Sequence, residues 1–196
     1  MNFAKWQHYL RARFFHILNN DEAALTEYRL AIQAAPDFSR AVSCIAFIYA
    51  RHENFSVAAT HFREAIRIEP GNAELYFNLG YSCDKQGQRQ DALAAFKAAA
   101  KINPKHDRAW YGMGMCHAAL GDHAAAASAL HEAALLQPMN AHAWYALGMA
   151  HQHLNEPERV KEIILYLHRF DPRMTRQLIQ EAGRSDLSYL VADLVI

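Results

Sequence analysis

Long apolar runs are missing from this sequence. No stretch is long and apolar enough to cross a bilayer, which excludes a membrane-spanning helix. A dominant charge sign is missing too: 20 Lys and Arg balance 20 Asp and Glu, so the formal net charge is zero. No global field draws such a chain to nucleic acid or to an acidic surface, and no nucleic-acid partner is expected. Cysteine is scarce, 3 residues in 196, and no CxxC pair occurs. Cys44, Cys83 and Cys116 therefore read as reduced, buried or half-buried thiols of a cytoplasmic protein. Acidic side chains are absent from the first 20 residues, where Lys5, Arg11 and Arg13 stand among Trp6, Tyr9, Phe14 and Phe15. A transit peptide or a membrane-surface helix has that composition. There is no apolar h-region and no small-residue cleavage site, and the same residues fit the first helix of a repeat.

Proline is sparse, and its placement is the strongest signal in the chain. Pro36, Pro70, Pro104, Pro138 and Pro172 are each 34 residues apart. A fixed period of this length marks a helical repeat array, in which each unit buries its apolar face against its neighbours. The frames run 5–38, 39–72, 73–106, 107–140 and 141–174. Small residues recur at Ala12, Ala46, Gly80, Gly114 and Gly148, and again at Ala24, Ala58, Ala92 and Ala126, where Val160 follows. A bulky column follows: Tyr28, Phe62, Phe96, Leu130, Ile164. Ala31, Ala65, Ala99 and Ala133 come next, then Leu167. Small residues let two helix backbones approach, and the large one fills the space beside them. Asn19, Gly87, Gly121 and Asn155 share a turn column and suit a left-handed helix end. Asn72 and Asn140 are candidate N-caps, and Pro157 suits a first helical turn.

These columns, with Trp110 and Trp144 early in their first helices, resemble the tetratricopeptide repeat family. The resemblance implies an all-α fold, a right-handed superhelical α-solenoid of helix–turn–helix units whose first helices line a concave groove. Residues 1–174 are expected to carry the repeats and 175–196 a C-terminal pair of capping helices, over Met174–Ala182 and Asp186–Leu194. Val160 and Leu167, replacing alanines, should hold the second helix of the last unit further from its partner. The final run, Leu187, Leu190, Val191, Leu194, Val195 and Ile196, should pack back on the helix at 157–170. A homodimer through this C-terminal region is the alternative.

No catalytic constellation is present, and no enzyme activity or cofactor is expected. Gly112-Met-Gly114-Met lies mid-helix and is no phosphate loop. His117 and His151 share a column, yet no HExxH or clustered Cys/His spacing supports a metal. By the resemblance, two first-helix columns face the groove. One reads Tyr9, Ser43, Phe77, Tyr111, Tyr145; the other, four residues on, reads Arg13, Phe47, Tyr81, Met115, Met149. Phe47, Phe77, Tyr81, Tyr111, Met115, Tyr145 and Met149 form an apolar ladder, with Asn78, Arg108 and His142 beside it. Such a face suits a peptide or an amphipathic helix of a partner protein. Co-chaperones of this family clamp a carboxylate with Lys, Asn and Arg at set columns. Here only Asn78 and Arg108 remain of that pattern, with Ser43, Phe47 and Gly112 in the other places. The expected role is a cytoplasmic protein-interaction adaptor. A self-assembling scaffold and a secretion or assembly chaperone are the alternatives.

Overall fold

The computed structural model describes residues 3–192, and all regular structure among them is helical. Two compact units divide the chain, Met1–Ile102 and Asn103–Ile196. The first contains α1 (Phe3–Ile17), α2 (Asp21–Ala34), α3 (Ser39–Arg51), α4 (Phe55–Ile68), α5 (Ala73–Lys85) and α6 (Arg89–Ile102). Here α1 packs on α2, α3 on α4 and α5 on α6, while α2 and α4 each carry the next pair. The second contains α7 (Asp107–Ala119), α8 (His123–Leu136), α9 (Ala141–His153), α10 (Pro157–Leu167) and α11 (Pro172–Glu181). A 3-10 helix, Ser185–Val191, follows. There α7 pairs with α8 and α9 with α10; α8 carries α9, and α11 lies against both α9 and α10.

Local chemistry sets the helix ends. Asn20, Asn54 and Asp122 accept backbone N–H groups and start α2, α4 and α8. Asn72 and Asn140 do the same for α5 and α9, accepting from Glu74 and Ala143. Between paired helices one residue turns left-handed: Asn19 (φ 56°), Glu53 (59°), Gly87 (75°), Gly121 (80°) and Asn155 (57°). Gly and Asn adopt this conformation readily, whereas Glu53 sets its Cβ against the neighbouring backbone. Trp110 and Trp144 donate their indole N–H to the carbonyls of Pro104 and Pro138, each at 2.9 Å. The tryptophans thereby tie the start of a first helix to the loop before it.

The core is built where helices come closest. Ala12, Ala24, Ala31, Ala46, Ala58 and Ala65 are fully buried. A Cβ on Gly80 would lie 2.7 Å from the Phe96 ring, and one on Gly114 would lie 2.5 Å from Leu130 Cγ. In both cases the knob comes from the partner helix of the same pair. Gly148 differs: a Cβ there would meet Leu178 of α11 at 2.7 Å. The α9–α10 pair thus receives its closest knob at this glycine from the helix that follows. Helix α10 is also short, 11 residues against 14 in α8.

Leu178, Ile179 and Ala182 of α11 enter the same core cluster as Val160, Ile163, Ile164 and Leu167. Leu187 and Val191 join it, so the start of the apolar C-terminal run is spent on packing within this unit. The second capping element is the 3-10 helix, beginning one residue before the expected Asp186. Leu194, Val195 and Ile196 lie outside the described residues.

At the other edge of α11, the Tyr145 hydroxyl donates to the Glu181 carboxylate. Burial raises the Tyr145 phenol, and the adjacent Glu181 raises it further, to about 12 from an ordinary 10.0. A raised phenol keeps its contribution to stability below pH 10 and loses it as pH climbs through 12.

Glu53→Gly should relieve the left-handed strain and stabilise the chain by about 1 kcal/mol, raising the thermal midpoint by about 2–4 °C. Glu53 is exposed, so no packing is lost; an unchanged or lower midpoint in circular dichroism would refute this. Glu181→Gln should move the Tyr145 titration down from about 12 towards 10. The measurement is phenolate absorbance, taken as the difference between each protein and its Tyr145→Phe counterpart.

Candidate functional site

In the first unit the sequence-predicted residues come from α3 and α5. Phe47, Asn78 and Tyr81 meet around a cleft of about 280 Å³, together with Ala50, Arg51, Phe62 and Ser82. Phe47 and Tyr81 are each 43% exposed, well above the burial expected of large apolar rings. Neither is loose. The Phe47 ring stands edge-on to Phe62 with centroids 5.3 Å apart. Tyr81 stands edge-on to Phe55 at 6.1 Å, with Lys85 Nζ 5.4 Å from its ring centre. Asn78 forms a wall, its side-chain amide donating to the Glu74 carbonyl at 2.6 Å. Phe77 is half-buried instead, its ring 5.8 Å from that of Phe96, and it does not line this cleft. Sequence reasoning missed Arg51, Ala50 and Ser82. Arg51 was findable: it follows Phe47 by four residues on one helix face. It is ion-paired to Asp21 on α2.

In the second unit the predicted residues come from α7 and α9. Arg108 and His142 are exposed, and Met115 is 42% exposed. Tyr111, Tyr145 and Met149 are half-buried against the core cluster that α11 completes. Burial pushes the Tyr111 phenol up. The chain's own α11 thus covers part of the α9 face, while Met115 stays open on α7.

A second cleft in this unit, of about 510 Å³, was not foreseen. Trp144, Leu147 and His151 of α9 line it, opposite His131 of α8 and Arg159 and Tyr166 of α10. These α9 residues follow a different stripe from Tyr145 and Met149. The Trp144 and Tyr166 rings lie 4.3 Å apart, and Arg159 pairs with Glu162 at 3.1 Å. No sequence column signals it, because it opens where α10 departs from the repeat pattern.

The paired histidines have a structural explanation. His117 Nδ1 lies 3.4 Å from Asp122, and His151 Nδ1 lies 2.6 Å from Glu156. In both, an imidazole near the end of a first helix meets an acid just before the second. Among the described residues no group of three or more His, Cys, Asp and Glu could hold a metal ion. Cys83 and Cys116 are buried thiols and Cys44 is a half-buried one, none of them in a disulfide; burial raises the Cys83 thiol. No described helix is long and apolar enough to cross a membrane.

Two tetratricopeptide repeat family models match the chain, over residues 85–148 and 61–94. No protein of curated function matches in sequence. The fold is shared with several solved structures. YrrB, described as a TPR protein with an unusual peptide-binding site, has a TM-score of 0.78 at 24% identity, over 90% of each chain. MamA has a TM-score of 0.77 at 16% identity, over 95% of this chain and 98% of its own. PilF of Pseudomonas aeruginosa has a TM-score of 0.70 at 15% identity, over 97% of this chain and 93% of its own. At these identities the likeness speaks for the fold. The direct matches over residues 61–148, with the 34-residue columns of small and bulky residues, identify the chain as a tetratricopeptide repeat protein.

Proposed function

We propose that this protein is an interaction adaptor that holds a peptide or helical segment of a partner protein against its first-helix faces. The observation that carries the reading is the α3–α5 cleft, where Phe47 of α3 and Tyr81 of α5 stand exposed and Asn78 joins the lining. Exposed aromatic rings held by neighbouring rings are preorganised, so a partner gains apolar burial without first ordering them. Covering the 43% of such a ring that is still exposed is worth about 1 kcal/mol. Asn78 and Arg51 give the cleft polar groups that can set the register of a bound backbone.

Met115 and Arg108 extend the same chemistry on α7, with Phe77 and Tyr111 beneath the surface of their own units. His142, Tyr145 and Met149 belong to the same columns on α9, where α11 shares the space. On this reading the frames 5–38 to 141–174 are five repeats, and the segment from 175 caps them. YrrB, with its peptide-binding site, is a precedent for peptide capture on this fold. The C-terminal self-assembly reading loses Leu187 and Val191, which are buried in their own unit.

The test is a quantitative pull-down from the native cell extract with wild type and with Phe47→Ala/Tyr81→Ala. Both rings are partly packed on neighbours, so the variant should keep its helicity and a cooperative melt, at a midpoint a few degrees lower. Proteins held by wild type alone are then mapped to a minimal segment, and its affinity is measured by calorimetry. The double variant should bind that segment at least about thirtyfold more weakly, since two aromatic anchors are removed. Identical recovery and identical affinity with both baits would overturn the proposal.

A further inference from the structure

Helix α1 carries a face that no part of the described chain covers. Phe3 is 78% exposed, Leu10 64%, Phe14 59% and Ile17 72%. At about 100° per residue these fall within one narrow sector of the helix. Arg13 borders that sector on one edge; Arg11 borders it on the other, beyond Gln7. The rest of α1 is already used: Ala12, on the opposite face, is buried, and Tyr9 and Trp6, the latter between Arg13 and Ile17 at the sector's edge, pack on Phe38. No acidic residue lies on α1. Of the acids on α2, Glu27 is held by His8 at 2.6 Å and Asp21 is ion-paired to Arg51. Glu22 is exposed at the start of α2, beyond the end of the sector.

We propose that this face of α1 lies on the surface of an anionic lipid bilayer. Charge complementarity selects the occupant. An apolar sector bordered by arginines on both edges fits the boundary between acyl chains and negative headgroups. The rings and aliphatic chains enter the apolar zone while the guanidinium groups stay at headgroup level. A second copy fits badly. In a two-fold contact of α1 on α1, the arginine borders of both copies would meet with no acid on either helix to pair them. An exposed apolar patch of this kind, bordered by charge, is an interaction site rather than a solvated face. Each arginine near such a surface strengthens binding roughly fivefold.

The test is sedimentation of the full chain with vesicles of phosphatidylcholine alone, or mixed with phosphatidylglycerol, at low salt and at raised salt. Wild type should pellet with the mixed vesicles, remain in solution with neutral ones, and be released as salt rises. Leu10→Ser/Ile17→Ser and, separately, Arg11→Glu should each weaken binding roughly tenfold or more. Both alter exposed side chains, and an unchanged melting midpoint verifies the fold. Wild type left in the supernatant with mixed vesicles overturns the proposal. So does equal binding by all variants, or a doubled solution mass that Leu10→Ser/Ile17→Ser abolishes without any vesicle binding. The outcome is independent of the α3–α5 cleft, whose residues these variants leave in place.

Discussion

Everything in this molecule depends on a close approach between paired helices, paid for with small side chains. Gly80 under Phe96 and Gly114 under Leu130 leave no room for even a methyl group. Fully buried alanines continue the approach in the first unit. Packing at this density makes each hairpin a rigid block, because displacing one ring opens a void that water will not fill favourably. The first helices can then hold aromatic rings at the surface without those rings collapsing inward. Exposure of Phe47 and Tyr81 is thus a consequence of a core that is already full.

Periodicity makes the core legible and leaves the ends obscure. Pro36 to Pro172, the N-caps Asn72 and Asn140, and the turn residues Gly87 and Gly121 all repeat a local chemical requirement, so each is readable in isolation. Glu53 is not, because nothing in a glutamate announces a left-handed turn; only its column position does. Leu178 in the notch of Gly148 is harder still. After Pro172 the 34-residue phase lapses, so which surface α11 covers follows from shape rather than from register. The cleft between Trp144 and Tyr166 is hidden for another reason: it opens where α10 departs from the alanine columns at Val160 and Leu167. Among the candidate binding residues, spacing brought Phe47, Asn78 and Tyr81 to one cleft but could not separate them from Phe77, whose ring turns to Phe96.

The two faces proposed as binding surfaces differ in kind. Around Phe47 and Tyr81 the surface is concave, backed by fixed rings, and bears an amide, which favours a partner with a definite shape. The sector of α1 from Phe3 to Ile17 is bordered by charge and lined by flexible side chains, which favours a partner without one. On the two proposals made above, one face would choose what the chain holds and the other where it stays.

Leu178 also bears on how such a chain can change in length over evolution. Because α11 supplies the knob for Gly148, the last hairpin has given up the bulky contact that its predecessors make for themselves. A duplicated unit appended after α10 would have to displace α11 and restore that contact at once, which requires several coordinated changes. A unit duplicated between α4 and α5 would find Ala, Gly and Phe already waiting at its boundaries. Gain and loss of repeats in related chains should therefore accumulate in the interior, while the residues from Gly148 to Val191 are inherited as one block.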